Sequence, residues 1–336
     1  MGKRAMDLTI QQIRYLRLYK QGLIAPFETL DQLFAALEIQ AQNESDAFFN
    51  VNRRLAKAAT AEEVQQAAIR VWYVRNTIFL MGKRYYEKAV FINNVIDNWF
   101  RRTKITTAKD EADLQHIIDV CQDRDFVSVD ELEKLGCNRS FIRAWSGAFI
   151  ELVRRGVLRS KYKKRLEINH SPVRADITME DVMRAYFDVY GPATLRDFKH
   201  WLGKTAPEVN PTFDRIQGEY IQVNGKMLLP RKDLALLAAA TEIPVIITGK
   251  FDPICLNYQD KSWLVDGEHN HKVWGKAGIV EAVILIDGAI SATWRKDKAG
   301  VRVCPIQKLT KLQQRKIIAQ FHKLFGKTAK IQFQST

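Results

Sequence analysis

What most restricts the fold of this chain is a recurring order of elements. Three times before residue 240, a run of helical segments ends in two short strands joined by a turn. The clearest instance is Glu-Tyr-Ile-Gln-Val-Asn-Gly-Lys-Met-Leu-Leu-Pro at residues 219–230. Its Asn224-Gly225 pair suits the positive φ angles that a two-residue hairpin loop requires, with apolar residues on both sides. Helices followed by a β-hairpin are the plan of a winged helix. The three copies share an order of elements but no fixed period, which argues for tandem units and against a solenoid.

In the first copy Asp7 or Thr9 can cap a helix through Ile13, Leu16 and Leu18, closed by Gln21-Gly22, with Arg14, Arg17 and Lys20 on its outer face. A second helix from Thr29 buries Leu30, Leu33, Phe34 and Leu37 at helical spacing. Helices over residues 47–55 and 60–68 follow, the latter opened by a Thr60–Glu63 capping box. Residues 69–81 then turn β-branched and aromatic, with Arg75-Asn76 as the bend. The second copy predicts helices over 85–101, 112–121, 129–135 and 140–155, the last carrying Phe141, Trp145, Phe149 and Leu152. Gly156 ends it, and two strands enclose the basic tip Ser160-Lys161-Tyr162-Lys163-Lys164-Arg165. The third predicts helices over 179–190, 195–202 (capped by Thr194) and 212–217 before its hairpin.

From residue 243 the texture becomes β, with strands expected at 244–248, 262–266 and 282–286 and a turn at Asp287-Gly288 into 289–294. A helix over 308–325 closes the chain. The expectation is an α+β protein: three tandem winged-helix units (1–84, 85–176 and 177–240), then a small C-terminal β-barrel with a terminal helix (241–336).

Fifty-two Lys and Arg against 38 Asp and Glu leave a charge of +14, which favours a polyanionic partner. The longest apolar runs, such as 282–286, fall far short of a membrane span, and the opening MGKRAMDLTI has no apolar core of a signal peptide. Nucleic acid is therefore the expected partner rather than a membrane. Four cysteines with no C-x-x-C pair read as reduced thiols in a cytoplasmic chain. His269-x-His271 lacks a third ligand, so neither a metal nor another cofactor is expected.

One short motif stands out. Helix two runs into Leu-Glu-Ile-Gln-Ala-Gln, which ends in Gln40 and Gln42. Spacing alone proves nothing, because Gln332 and Gln334 repeat it near the C-terminus. Two glutamines could equally satisfy a helix end.

The whole order of segments resembles the AlkZ/YcaQ DNA glycosylases, winged-helix proteins that excise alkylated bases. RYLRLYKQGL (14–23), LEIQAQ (37–42), VWYVRNTIFLM (71–81), YGPATLRDFKHWLG (190–203), FDPICLNYQDKSWLVDGEHNHKVW (251–274) and ATWR (292–295) carry the likeness, in that order, over nearly the whole chain. The resemblance implies a concave basic surface that takes double-stranded DNA bearing alkylated purines. It also implies monofunctional hydrolysis of the N-glycosidic bond of a cationic N7- or N3-alkylated purine, N7-linked interstrand crosslinks included. The catalytic role carries over to Gln40 and Gln42, which match the family's Gln-x-Gln or Gln-x-Asp element. One position departs: the family's first wing usually reads Gly-Thr-Leu-His-Leu, whereas Asn76-Thr77-Ile78-Phe79-Leu80 stands here, so Phe79 replaces the wing histidine.

The chemistry is consistent with the residues. Glutamine does no acid–base work, so the pair suits a base that is already a good leaving group because alkylation has made it cationic. Two amides can then orient one water and stabilise an oxocarbenium-like sugar. On a helix, residues two apart point about 200° from each other, whereas on extended backbone they share a face. A non-helical backbone at residues 40–42 is therefore expected.

The expected phosphate contacts are Arg70, Arg75, Lys161, Lys163, Lys164, Arg165, Arg295 and Lys296. Phe251 and Asp252 are expected to support the site, by orienting the barrel against the first wing or by capping a turn. Trp201, Trp263, Trp274 and Trp294 read as core rather than as base-stacking platforms. The protein is expected to act as a monomer, in the cytoplasm and on the bacterial nucleoid when bound to DNA. The alternative is a non-catalytic winged-helix regulator, which would read half-sites as a dimer.

Overall fold

The computed structural model describes residues 6–96, 99–143, 148–173, 176–203 and 206–334. Local signals set most of the first element group. Thr9 and Gln12 form a capping box for α1 (Ile10–Lys20), and Thr29 caps α2 (Leu30–Ala36). The chain then extends, with Leu37 at φ −146° and ψ 160°, into the two-residue strand β1 (Ile39–Gln40). Asn43 caps α3 (Glu44–Asn52), and the Thr60–Glu63 box caps α4 (Ala61–Ala67). The hairpin of β2 (Ala68–Trp72) and β3 (Ile78–Gly82) bends through Arg75 and Asn76 at φ 57° and 54°. β1 pairs with the free edge of β3, giving the antiparallel order β1-β3-β2.

The second group departs from expectation in two helices. The helix predicted over 85–101 is divided: α5 (Tyr86–Val95) ends where Ile96 turns extended, and α6 (Trp99–Lys104) follows. Next come α7 (Ala108–Gln122), β4 (Phe126–Ser128) and α8 (Val129–Lys134). The helix predicted over 140–155 is likewise two, α9 (Arg139–Ile142) and α10 (Phe149–Arg154), while Trp145 lies outside the described residues. Gly156 (φ 73°) leads into β5 (Leu158–Tyr162) and β6 (Arg165–Ile168), and β4 completes the order β4-β6-β5.

The third group comprises α11 (Met179–Tyr190), α12 (Leu195–Leu202) and α13 (Val209–Ile216), then the pair β7 (Ile221–Val223) and β8 (Met227–Leu229) around Asn224-Gly225. Thr194 caps α12 in a box with Asp197. A short α14 (Leu234–Ala238) follows.

The remaining chain carries β9 (Ile246–Ile247), α15 (Pro253–Leu256) and α16 (Asn270–Val273). After them come β10 (Ala282–Ile286), β11 (Ala289–Asp297), β12 (Gly300–Pro305), α17 (Lys311–Phe325) and β13 (Ile331–Phe333). The expected barrel is not closed. These strands form one open sheet of order β13-β12-β11-β10-β9, whose edge strands are only three and two residues long and do not pair with each other. Ile317 and Phe321 of α17 pack with Trp294 in the apolar cluster of this sheet. The strand expected at 262–266 is a turn, because Asp260 accepts from Ser262 N and Lys261 O accepts from the amides of Leu264 and Val265. These local bonds satisfy the backbone that a ladder would otherwise use.

A single core runs through the first three groups into the last, from Leu18, Leu33 and Ile39 to Tyr186, Phe198 and Ile254. Burial of each such side chain contributes about 1.5–3 kcal/mol. The expected outer basic face of α1 is a correction. Arg17 is buried, donates from Nε and Nη2 to Pro192 O at 2.9 and 2.6 Å, and lies over the rings of Tyr258 and Trp263. Lys20 pairs with buried Asp233, and Arg14 Nε donates to Trp263 O at 2.7 Å. These cations fasten the first helix to later elements. Among the described residues no helix is long and apolar enough to cross a membrane.

Candidate active site and DNA-facing surface

β1 determines how the two glutamines lie. Gln40 sits opposite Phe79 of β3, and Ala41 N donates to Ile78 O at 2.7 Å, so the backbone is extended at the motif. Residues 40 and 42 consequently share a face. Gln40 Nε2 donates to Gln42 Oε1 at 2.7 Å. The pair is not symmetric: Gln40 is only 6% exposed, whereas Gln42 is open to solvent. Phe79, opposite Gln40, is buried and offers no polar contact.

Two arginines assigned to phosphates turn inward instead. Arg70 donates to Ala41 O (2.9 Å), Gln42 O (3.2 Å) and Lys161 O (2.9 Å), while its backbone N donates to Ser160 Oγ (2.9 Å). It therefore fastens the motif to the second sheet and has no free face for DNA. Arg75 donates from Nη2 to Gln40 Oε1 at 3.2 Å and from Nη1 to Trp201 O at 3.0 Å and Asn257 Oδ1 at 3.4 Å. Its guanidinium lies over the Phe79 ring, 5.5 Å from the centroid, and burial lowers its pKa to about 10. Groups from β1, α12 and the C-cap of α15 thus converge on Arg75 of the first hairpin, beside Gln40.

The other basic residues divide by exposure. Lys161 is half-buried with its ammonium over Phe149 (4.7 Å) and Trp72 (5.6 Å), and burial lowers its pKa. Lys163, Lys164, Arg165, Arg295 and Lys296 are exposed. The tip of the second hairpin stands beside the motif, since Lys163 N donates to Glu44 Oε1 at 3.4 Å, two residues after Gln42. Lys164 pairs loosely with Asp130 (3.0 Å), Arg295 with Glu281 (2.8 Å), Arg165 covers the ring of Phe126 and Lys296 that of Phe325. A cleft of about 690 Å³ between α3 and the open sheet separates Asn43 from Arg295 and Lys296.

Asp252 does more than cap a turn. It accepts from Ile254 N at the start of α15 and forms a bidentate pair with Arg54, just beyond α3. It thereby joins the C-terminal part to the region after α3 rather than to the first wing. Phe251, at φ 56°, packs against the main core beside it. Trp201, Trp263 and Trp294 are buried, and Trp274 Nε1 is bonded to Cys255 O, as core residues would be. Arg54, Asn257 and Arg75 as a partner of Gln40 were not foreseeable from local pattern, since Arg54 and Asp252 are 198 positions apart.

One long core thus joins three small sheets and an open mixed sheet, with the Gln40–Gln42 amide pair at the edge of the first of them. The chain superposes on the Streptomyces sahachiroi DNA glycosylase AlkZ with a TM-score of 0.80 at 20% sequence identity, covering 98% of this chain and 100% of that one. The family model for DNA glycosylase AlkZ-like proteins matches residues 36–325, and the chain belongs to that family. It is a DNA glycosylase, and the regulator alternative falls away. A curated relative, the interstrand DNA cross-link repair glycosylase of Streptomyces sahachiroi, is 24% identical over 302 residues, spanning 76% of this chain and 79% of its own.

Proposed function

We propose that this protein is a monofunctional glycosylase for cationic N7- or N3-alkylated purines in duplex DNA, including purines held in N7-linked interstrand crosslinks, and that Gln40 and Gln42 carry the reaction. The hydrogen-bonded amide pair on extended backbone, with only Gln42 solvent-facing, is the observation that supports it most. Water adds at the sugar C1′ as the C1′–N bond breaks. Its electron pair passes to the purine and cancels the positive charge, and one water proton leaves to solvent. No residue needs to protonate the base, so a pair of neutral amides is sufficient. Their task is to hold the water and the developing sugar cation in register, the kind of positioning that lowers barriers without acid–base chemistry.

We read the three helix-and-hairpin groups as tandem winged helices over 1–84, 85–176 and 177–240, with 241–336 as a β-rich cap, acting together as a monomer. Lys163, Lys164 and Arg165 at the second wing, and Arg295 and Lys296 on the open sheet, flank the amide pair and would grip phosphates on either side. The crosslink activity named for the curated relative favours the same substrate class here.

The test is release of base from N7-methylguanine duplex, with the abasic product revealed by alkaline cleavage, and release from an N7-linked crosslink. Gln40→Ala and Gln42→Ala should each lower the rate about 100-fold or more while DNA binding persists. No release by the wild type from either substrate would sink the reading.

A further inference from the structure

We propose that Arg75 is the positioning residue that fixes which way both glutamine amides face. The inference rests on the reading of Gln40 and Gln42 as the reacting pair. An amide has unlike ends, an accepting oxygen and a donating NH2, whereas a guanidinium only donates. With Arg75 Nη2 3.2 Å from the Gln40 amide, the end facing it has to be Oε1. Gln40 therefore turns its NH2 toward Gln42, and at 2.7 Å that NH2 admits only the oxygen of Gln42. One donor thus sets a directional relay, Arg75 to Gln40 to Gln42. Its outer end is the exposed Gln42 amide, whose NH2 has no partner among the described residues and whose oxygen has one lone pair left over.

Arg75 is built to be immobile. Its other nitrogen is tied to Trp201 O and Asn257 Oδ1, and its ring contact is Phe79. Its backbone sits at φ 57° in the turn, against Gly203, where an added Cβ would lie 2.5 Å from Arg75 Cγ. No carboxylate among the described residues pairs with it, so its donors are directed to neutral oxygens. The exposed Gln42 amide then presents an acceptor for an O–H of the attacking water and a donor for an oxygen of the DNA, side by side. Without Arg75 both amides can invert together at no loss of their mutual bond. The inverted pair presents the wrong end of Gln40 and a reversed Gln42.

The test compares Arg75→Met, which cannot donate, with Arg75→Lys, which can, using base release from N7-methylguanine duplex by the full chain. Arg75→Met should lower kcat about 10-fold or more with KM changed less than about 2-fold. Arg75→Lys should recover much of the loss, and added guanidinium should rescue Arg75→Met in a saturable manner. A folded Arg75→Met with wild-type kcat would overturn the inference. Where Arg75→Met does not fold, the wild type labelled with 15N-glutamine decides. The Gln40 side-chain NH2 should be protected from solvent exchange and that of Gln42 fast, and the reverse order would overturn the relay. A wild type that releases no base but shows this exchange order would instead overturn the glycosylase reading and leave the relay standing.

Discussion

Arg54 and Asp252 meet as a two-pronged ion pair from which water is wholly excluded: Nη1 lies 2.8 Å from Oδ2, Nη2 2.7 Å from Oδ1, and both side chains are 0% exposed. The pair joins the chain after α3, which follows the glutamine motif, to the start of α15, whose C-cap Asn257 holds Arg75. Each charge is tolerable only in the presence of the other. Asp252→Asn or Arg54→Met should therefore lower unfolding free energy by about 3–5 kcal/mol. Replacing both by apolar residues should recover much of the loss. Urea denaturation of the single and double variants measures this, and singles that cost no more than about 1 kcal/mol would mean the pair is not needed.

The hairpin tip at Lys163 and Lys164 should behave differently. Both are exposed, and the Lys164–Asp130 contact at 3.0 Å is the kind of surface pair that contributes about 0–1 kcal/mol. Lys164 can leave it for a phosphate at little expense. Lys163→Glu with Lys164→Glu should weaken duplex binding evenly across sequences and reduce the slope of log K against log salt by about 1–2. Stability should hardly change. A titration of fluorescent duplex at several salt concentrations provides the slope, and an unaltered slope would remove this tip from the interface.

Arg70 gives the opposite signature, because its charge serves the protein's own carbonyls. Arg70→Met leaves Ala41 O and Lys161 O without their donor, each beside the motif. Leaving two part-buried acceptors unpaired should destabilise by about 2–4 kcal/mol. The salt slope of binding should stay that of the wild type. Comparing the melting curve with the binding slope separates a strut from a phosphate contact, and a reduced slope would restore Arg70 to the DNA surface.

Which features were legible in the sequence follows from how local their causes are. The capping box at Thr60, the cap at Thr194 and the Asn224-Gly225 turn depend on residues within four positions, and they form as expected. Extended backbone at Gln40 followed from asking how two residues could share a face. Arg70 read as a free cation because the oxygens it donates to are main-chain carbonyls, which every residue has and no pattern marks, and Arg75 because its partners Gln40, Trp201 and Asn257 are far from it in sequence. Closure of the C-terminal strands into a barrel depends on edges meeting, and the strand lost to the Asp260 turn shows how one side chain redirects a segment. The pairing of Arg54 with Asp252 across 198 positions had no local trace at all.

Lys261 offers a test by pH. Its ammonium is mostly buried, donates to Cys255 O at 2.8 Å and to Tyr258 O, and lies 5.3 Å from the Trp274 ring centroid. Burial, rather than any neighbouring charge, is the main reason its pKa falls from 10.5 to about 8. Below about 8 the folded and unfolded chains both hold the proton. Between about 8 and 10.5 the unfolded chain holds a proton that the folded chain has released, so stability rises with pH across that window. Lys261→Met lacks this titration, shedding both the cost of burying the ammonium and its two carbonyl contacts. Its deficit relative to wild type should grow by up to roughly 1 kcal/mol per pH unit from about pH 8 upward. Urea midpoints measured across the window test the sign, and a deficit that stays flat between about pH 8 and 10.5 would show that Lys261 keeps its charge in the folded protein.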